Sequence, residues 1–237
     1  MTERFPLIAL LWFTAMSKTT TEKAKELARN STDCSFLLSH LIRQNDGKTD
    51  TEACAVLCSI LGISGEATPY LRSSVNGWYG SSAANLFNPV TSQFDGTPQN
   101  KAVCFTEATL SGLKAHRDLF NVKYGLAFDR EWLFTQGANP CLNIAEVLLK
   151  ATFVRTGETY SRSVFNFIPP HLHPFVNVIH ESFDATHERE WRYPGGLNFS
   201  IENVRFIFCP ESEFKVFSSV QKGGMPCLFD LAWLDRV

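Results

Sequence analysis

The feature that most narrows the fold is a change of hydrophobic period along the chain. Helical spacing marks its first half, and short aromatic or β-branched runs mark its last third. Residues 51–61 (TEACAVLCSIL) place apolar side chains at helical intervals and stop at Gly62, which predicts a helix with a glycine end. Residues 109–120 and 145–153 also read as helices, 129–135 as a short helical turn, and 19–29 as a short polar helix. The run 34–42 is a strand or the start of a helix, while 102–105 and 124–128 read as buried strands. Later come short strand candidates at 177–179, 191–193, 198–201, 204–208 and 214–217, separated by turn residues. Helices early and strands late predict an α+β fold rather than a doubly wound α/β one. Between them, 64–100 is rich in turn residues and reads as a long, functional loop carrying Trp78 and Tyr79. With no repeat and no linker, the expectation is a single domain over 1–237, in which 1–18 form an N-terminal extension.

Composition removes several function classes. Of the 237 residues 44% are hydrophobic and 19% charged, which excludes a disordered tail. The 22 basic and 24 acidic side chains leave a net charge of −2, so generic affinity for a polyanion is not expected. The 7 cysteines cannot all pair and form no C-x-x-C, which points to free thiols in a reducing cytoplasm. Residues 5–16 (FPLIALLWFTAM) are apolar but too few to span a bilayer, and they lack a clear cleavage site. A cytoplasmic protein without a membrane partner is the expectation.

The sharpest local pattern is Glu188-Arg189-Glu190-Trp191-Arg192. In extended backbone alternate side chains face the same way, so Glu188 and Glu190 would share a cleft with Arg192. Two carboxylates so placed can divide labour: one steadies an oxocarbenium-like transition state, the other takes a proton from the incoming nucleophile. The plainer alternative is the charged start of an edge strand. His171, His173, His180 and His187 invite a metal, but three prolines kink their segment and no carboxylate or cysteine stands at a ligand spacing. Packing is the expected use of these histidines. Phosphate-binding glycine loops and G-x-S-x-G are absent.

Several short segments occur together in one order. They are 103–107 (VCFTE), His116, 124–128 (YGLAF), 131–133 (EWL), 137–140 (GANP) and the late E-x-E-W-R. The set resembles the AbiG-type abortive-infection family and a bacterial domain marked by that late E-x-E-W-R, over roughly residues 34–210. Both groups resemble the ADP-ribosyltransferase fold, which implies two small packed sheets with an NAD cleft between them, built here from 30–237. The resemblance implies His40, or Arg43 in its place, as the first-strand residue that binds the adenosine ribose. It implies Phe105 and Thr106 as the aromatic–Thr pair bracing nicotinamide, Glu190 as the catalytic carboxylate and Glu188 as the group that activates the acceptor. Tyr79 would stack on nicotinamide or on an acceptor base.

What the resemblance implies for function is a toxin of anti-phage defence, an NAD-dependent ADP-ribosyltransferase without a metal. Its acceptor would be single-stranded nucleic acid, RNA ahead of DNA, and an antitoxin protein, with or without a chaperone, would restrain it. A protein-directed transferase, a non-catalytic antitoxin-like binding module and a metal-dependent hydrolase are the alternatives.

Overall fold

The computed structural model describes residues 35–44, 47–63, 65, 68–74, 86–88, 93–95, 101–150, 152–153, 162–163, 168–179, 181, 184 and 186–236. Strand β1 (Leu37–Ile42) leads into helix α1 (Asp50–Ile60). The helix starts one residue before the expected 51, at a capping box that the sequence reading did not pick out. Thr49 accepts a hydrogen bond from the Glu52 amide (3.2 Å), and the Glu52 carboxylate accepts one from the Thr49 amide (2.8 Å). Gly62, at φ +69°, ends it.

Three short strands follow: β2 (Tyr70–Leu71), β3 (Leu86–Asn88) and β4 (Gln93–Asp95). Then come β5 (Ala102–Thr106), α2 (Leu110–Phe120) capped by Thr109, β6 (Tyr124–Asp129), and α3 (Arg130–Gln136) capped by Asp129. The chain continues through β7 (Asn139–Pro140), β8 (Leu142–Ala145), α4 (Glu146–Lys150), β9 (Thr152–Phe153) and β10 (Arg162–Ser163). A 3₁₀ turn over Pro170–Phe175 precedes β11 (Val176–Ile179), and a second over Thr186–Glu188 precedes β12 (Glu190–Pro194). Last are β13 (Leu197–Asn198), β14 (Val204–Phe208), α5 (Phe214–Phe217), β15 (Cys227–Phe229) and a 3₁₀ helix over Leu231–Arg236.

The architecture is α+β. One seven-stranded mixed sheet runs in the order β15-β14-β6-β1-β5-β12-β7, beside four two-stranded pairs. Its strands pair antiparallel except β14 with β15. The sheet has a seam. Strands β1 and β6 share six partner positions, but β1 and β5 meet only at Ser39 opposite Thr106. Beyond that pair the His40 ring takes over, its Nδ1 lying 2.9 Å from the Cys104 carbonyl oxygen.

The alternation of side chains along the strands divides the core in two. One face carries Leu38, Phe105, Tyr124, Leu126 and Phe128, covered by Ala53 and Leu57 of α1 and Leu133 of α3. The other carries Leu37, Ala127, Phe206 and Phe208, covered by Leu113 of α2 and by Leu231 and Leu234. We call these the α1 face and the α2 face.

Some expectations need correction. Residues 214–217 form a helix, not a strand: Phe217 is buried in the core while Phe214 meets Trp233, so the aromatic spacing serves one helical face. The run 145–153 is divided among β8, α4 and β9, because Leu142–Ala145 pair in parallel with Val176–Ile179. Strand β13 ends at Asn198, where Asn203 Oδ1 accepts from the Ser200 amide (2.8 Å) and turns the chain. The long loop region contains β2, which pairs with β13, and the β3–β4 hairpin. The polar helix at 19–29 and the segment 5–16 lie outside the described residues.

Close approach of β1 and β6 requires Gly125, opposite Leu41: a Cβ there would stand 2.6 Å from the His40 carbonyl oxygen. Gly125→Ala is therefore expected to destabilise the protein by about 1–3 kcal/mol, read by urea unfolding.

Candidate functional site

The late carboxylates do not lie in one extended segment. Glu188 ends the 3₁₀ turn, and Arg189 at φ +45° turns the chain before β12 begins at Glu190. Thr106 at the end of β5 fixes this corner by donating its hydroxyl to the Glu188 carbonyl (2.6 Å). The Glu107 amide donates to the Arg189 carbonyl (3.3 Å). The two side chains consequently take different partners. Glu188 Oε1 accepts from Arg43 Nη2 (2.7 Å), and the same guanidinium lies 4.2 Å over the Phe120 ring of α2.

Glu190 is held as a fork. Its Oε1 accepts from Arg192 Nε (2.9 Å), and its Oε2 accepts from Arg192 Nη2 (2.9 Å) and from Asn177 Nδ2 (3.1 Å). Arg192 is 4% exposed and also donates to the carbonyls of Pro174 (2.8 Å) and Val176 (3.0 Å) and to Asn177 Oδ1 (3.0 Å). Burial works against its charge, and the Glu190 carboxylate outweighs that, leaving its pKa above the ordinary arginine value. Arg192→Ala, which strands the Glu190 carboxylate, is expected to cost about 3–5 kcal/mol in thermal or urea unfolding.

Register decides which expected residues meet. Thr106 stands opposite Glu190 on one side and Ser39 on the other, so the three form a row across β1, β5 and β12 on the α2 face. Arg43 reaches that face too, through Phe120 and Glu188. Thus Arg43, Thr106, Glu188 and Glu190 are brought together. His40 and Phe105 are not: they lie on the α1 face, their rings 6.0 Å apart at 64°. The sequence reading missed Ser39, which the strict period of two along β1 placed in the row. Tyr79 and Trp78 lie outside the described residues.

On the α1 face His40 borders a cavity of about 440 Å³ that Tyr70 and Arg72 also line. Burial disfavours the imidazolium and pulls the His40 pKa below its ordinary 6.5, against the opposing hydrogen bond to Cys104. The unfolded chain therefore takes up a proton more readily than the folded one. This contribution to stability is complete above pH 6.5 and is lost as pH falls below it. Wild type is expected to lose stability relative to His40→Asn below pH 6.5, by at most about 1.4 kcal/mol per pH unit, in urea titrations across pH 5–8.

Of the other candidate histidines, His180 lies outside the described residues. His173 is buried, its Nε2 lying 2.8 Å from the Ile168 carbonyl oxygen. Among the described residues no three His, Cys, Asp or Glu side chains group to hold a metal ion, and no helix is long and apolar enough to cross a membrane. Six described cysteines are free thiols, and burial pushes Cys54 and Cys209 up to about 12, which suits packing rather than nucleophilic attack. Glu107, buried on the α1 side, accepts from Trp191 Nε1 (2.8 Å) and Arg130 Nη1 (2.9 Å) and so braces β12 against β5. The glutamate of VCFTE was the only sequence signal for it.

No family model, no curated protein and no solved structure matches this chain.

Proposed function

We propose that this protein is an NAD-dependent mono-ADP-ribosyltransferase, a toxin of anti-phage defence, with Glu190 as its catalytic carboxylate. The observation that supports the reading is the row across β1, β5 and β12: Glu190 on β12, pre-oriented by Arg192 and Asn177, stands beside Thr106, with Glu188 just across the turn at Arg189. A fixed carboxylate suits a ribose hydroxyl and the positive charge that builds at C1′ and the ring oxygen. The nicotinamide–ribose bond breaks, and the electron pair leaves with neutral nicotinamide. The acceptor attacks C1′ and passes its proton to Glu188, which exchanges its Arg43 partner in that step.

The acceptor in this reading is an unpaired base in single-stranded RNA, ahead of DNA. A net charge of −2 suits a pocket that reads one base more than a groove that tracks a backbone. A neutralising antitoxin protein, alone or with a chaperone, belongs to the same reading, as does a cytoplasmic location.

One observation favours a second reading, a non-catalytic binding module. Both carboxylates are engaged by side chains of the chain itself, as structural ion pairs are.

The decisive measurement follows adenylate-labelled NAD with single-stranded RNA, single-stranded DNA and total cell protein, beside nicotinamide release. Wild type is expected to label RNA. Glu190→Gln should lower release at least about 100-fold. Glu188→Gln should retain release and lose transfer. Absence of release from folded wild type selects the binding module.

A further inference from the structure

The α2 face holds an open groove of about 540 Å³ that neither carboxylate fills. Its floor is aromatic: the Phe206 and Phe208 rings stack at 6.4 Å, and Phe229 meets both edge-on. Leu37 and Leu113 extend the apolar lining, and no charged side chain belongs to it. Ser35, Ser39, Thr109 and Ser111 are its polar side chains, and two features bear on a ligand. One is the start of the eleven-residue helix α2, where Thr109, Leu110 and Ser111 form the wall. The first intrahelical bond there is made by the Leu113 amide to the Thr109 carbonyl (2.8 Å), so the amides of Leu110 and Ser111 precede the ladder and favour negative charge. The other is Ser39. It is 3% exposed, lies on the groove floor, and its hydroxyl has no hydrogen-bond partner among the described residues. A hydroxyl at this place in the lining can donate a hydrogen bond to a ligand in the groove. The Glu107 carboxylate is paired with Arg130 and with Trp191 Nε1 on the opposite face, and it also accepts from the amide of Ser35, which lines the groove (3.4 Å).

We propose that this groove binds an amphipathic monocarboxylate such as a medium-chain fatty acid. Its hydrocarbon lies on Phe206, Phe208 and Phe229, and its carboxylate accepts hydrogen bonds from the first amides of α2 and from Ser39. The volume is within the range usual for small-molecule sites, and the lining gives a neutral body and one anion-selective end. The site stands on the groove alone, not on the reading of Glu190, and its test uses no NAD.

The experiment is calorimetric titration with decanoate, decanol and decyltrimethylammonium, each below its micelle concentration. Decanoate is expected to bind one to one, and the neutral and cationic chains at least roughly ten-fold more weakly. Ser39→Ala should weaken decanoate roughly five-fold. Ala108→Leu, which puts bulk into the groove, should abolish binding, each variant first being shown folded by circular dichroism. No binding of decanoate, equal binding of the three probes, or full binding by folded Ser39→Ala overturns the proposal. Ser39→Ala alone decides if Ala108→Leu does not fold.

Discussion

A guanidinium buried in a protein interior is tolerated only when its donors are satisfied, and Arg192 meets that condition by tying three segments together. Glu190 on its own strand, Asn177 on β11 and the carbonyls of Pro174 and Val176 all converge on it. The consequence is that β12, the 3₁₀ turn over Pro170–Phe175 and β11 cannot move independently. Strand register sets Glu190 beside Thr106, and the orientation of its carboxylate within the candidate row depends on that one cation. The same fact shapes both functional readings. A carboxylate clamped from one side is oriented for a ligand arriving from the other, and it is also a sound structural anchor.

Much of the architecture was legible because local signals and tertiary demands agreed. Three helices begin within one residue of the expected positions, capped by Thr49, Thr109 and Asp129, and the buried runs at 102–105 and 124–128 are strands of the large sheet. Legibility failed where a short segment answers to a distant partner. Phe214–Phe217 carry strand-like composition, yet their spacing serves burial of Phe217 and contact with Trp233. Leu142–Ala145 become a strand only because Val176–Ile179 arrive beside them. No local signal contains that information.

The candidate site shows the same division. E-x-E marks the corner before β12, but a positive φ at Arg189 separates its two carboxylates and sends one to Arg43 and the other to Arg192. Register was the missing quantity. In a strand the face alternates with each residue, so an expectation placed on His40 rather than Ser39 is displaced to the other side of the sheet. A single sequence names the strand readily. Its phase relative to a neighbour is set by pairings some seventy to ninety residues away, which the chain does not advertise.

The seam between β1 and β5 divides the large sheet into a four-stranded plate (β15-β14-β6-β1) and a three-stranded plate (β5-β12-β7). Strand pairing joins the plates at one position, supplemented by an imidazole, by the Arg43–Glu188 and Arg130–Glu107 ion pairs and by side-chain packing. This is the sparsest strand pairing within the large sheet. Ser39 lies on one plate, and Thr106 and Glu190 on the other. The row thus crosses the seam at the single position where the two plates are paired, so any tilt of one plate against the other would turn about Ser39 and Thr106 and leave the geometry of each half intact.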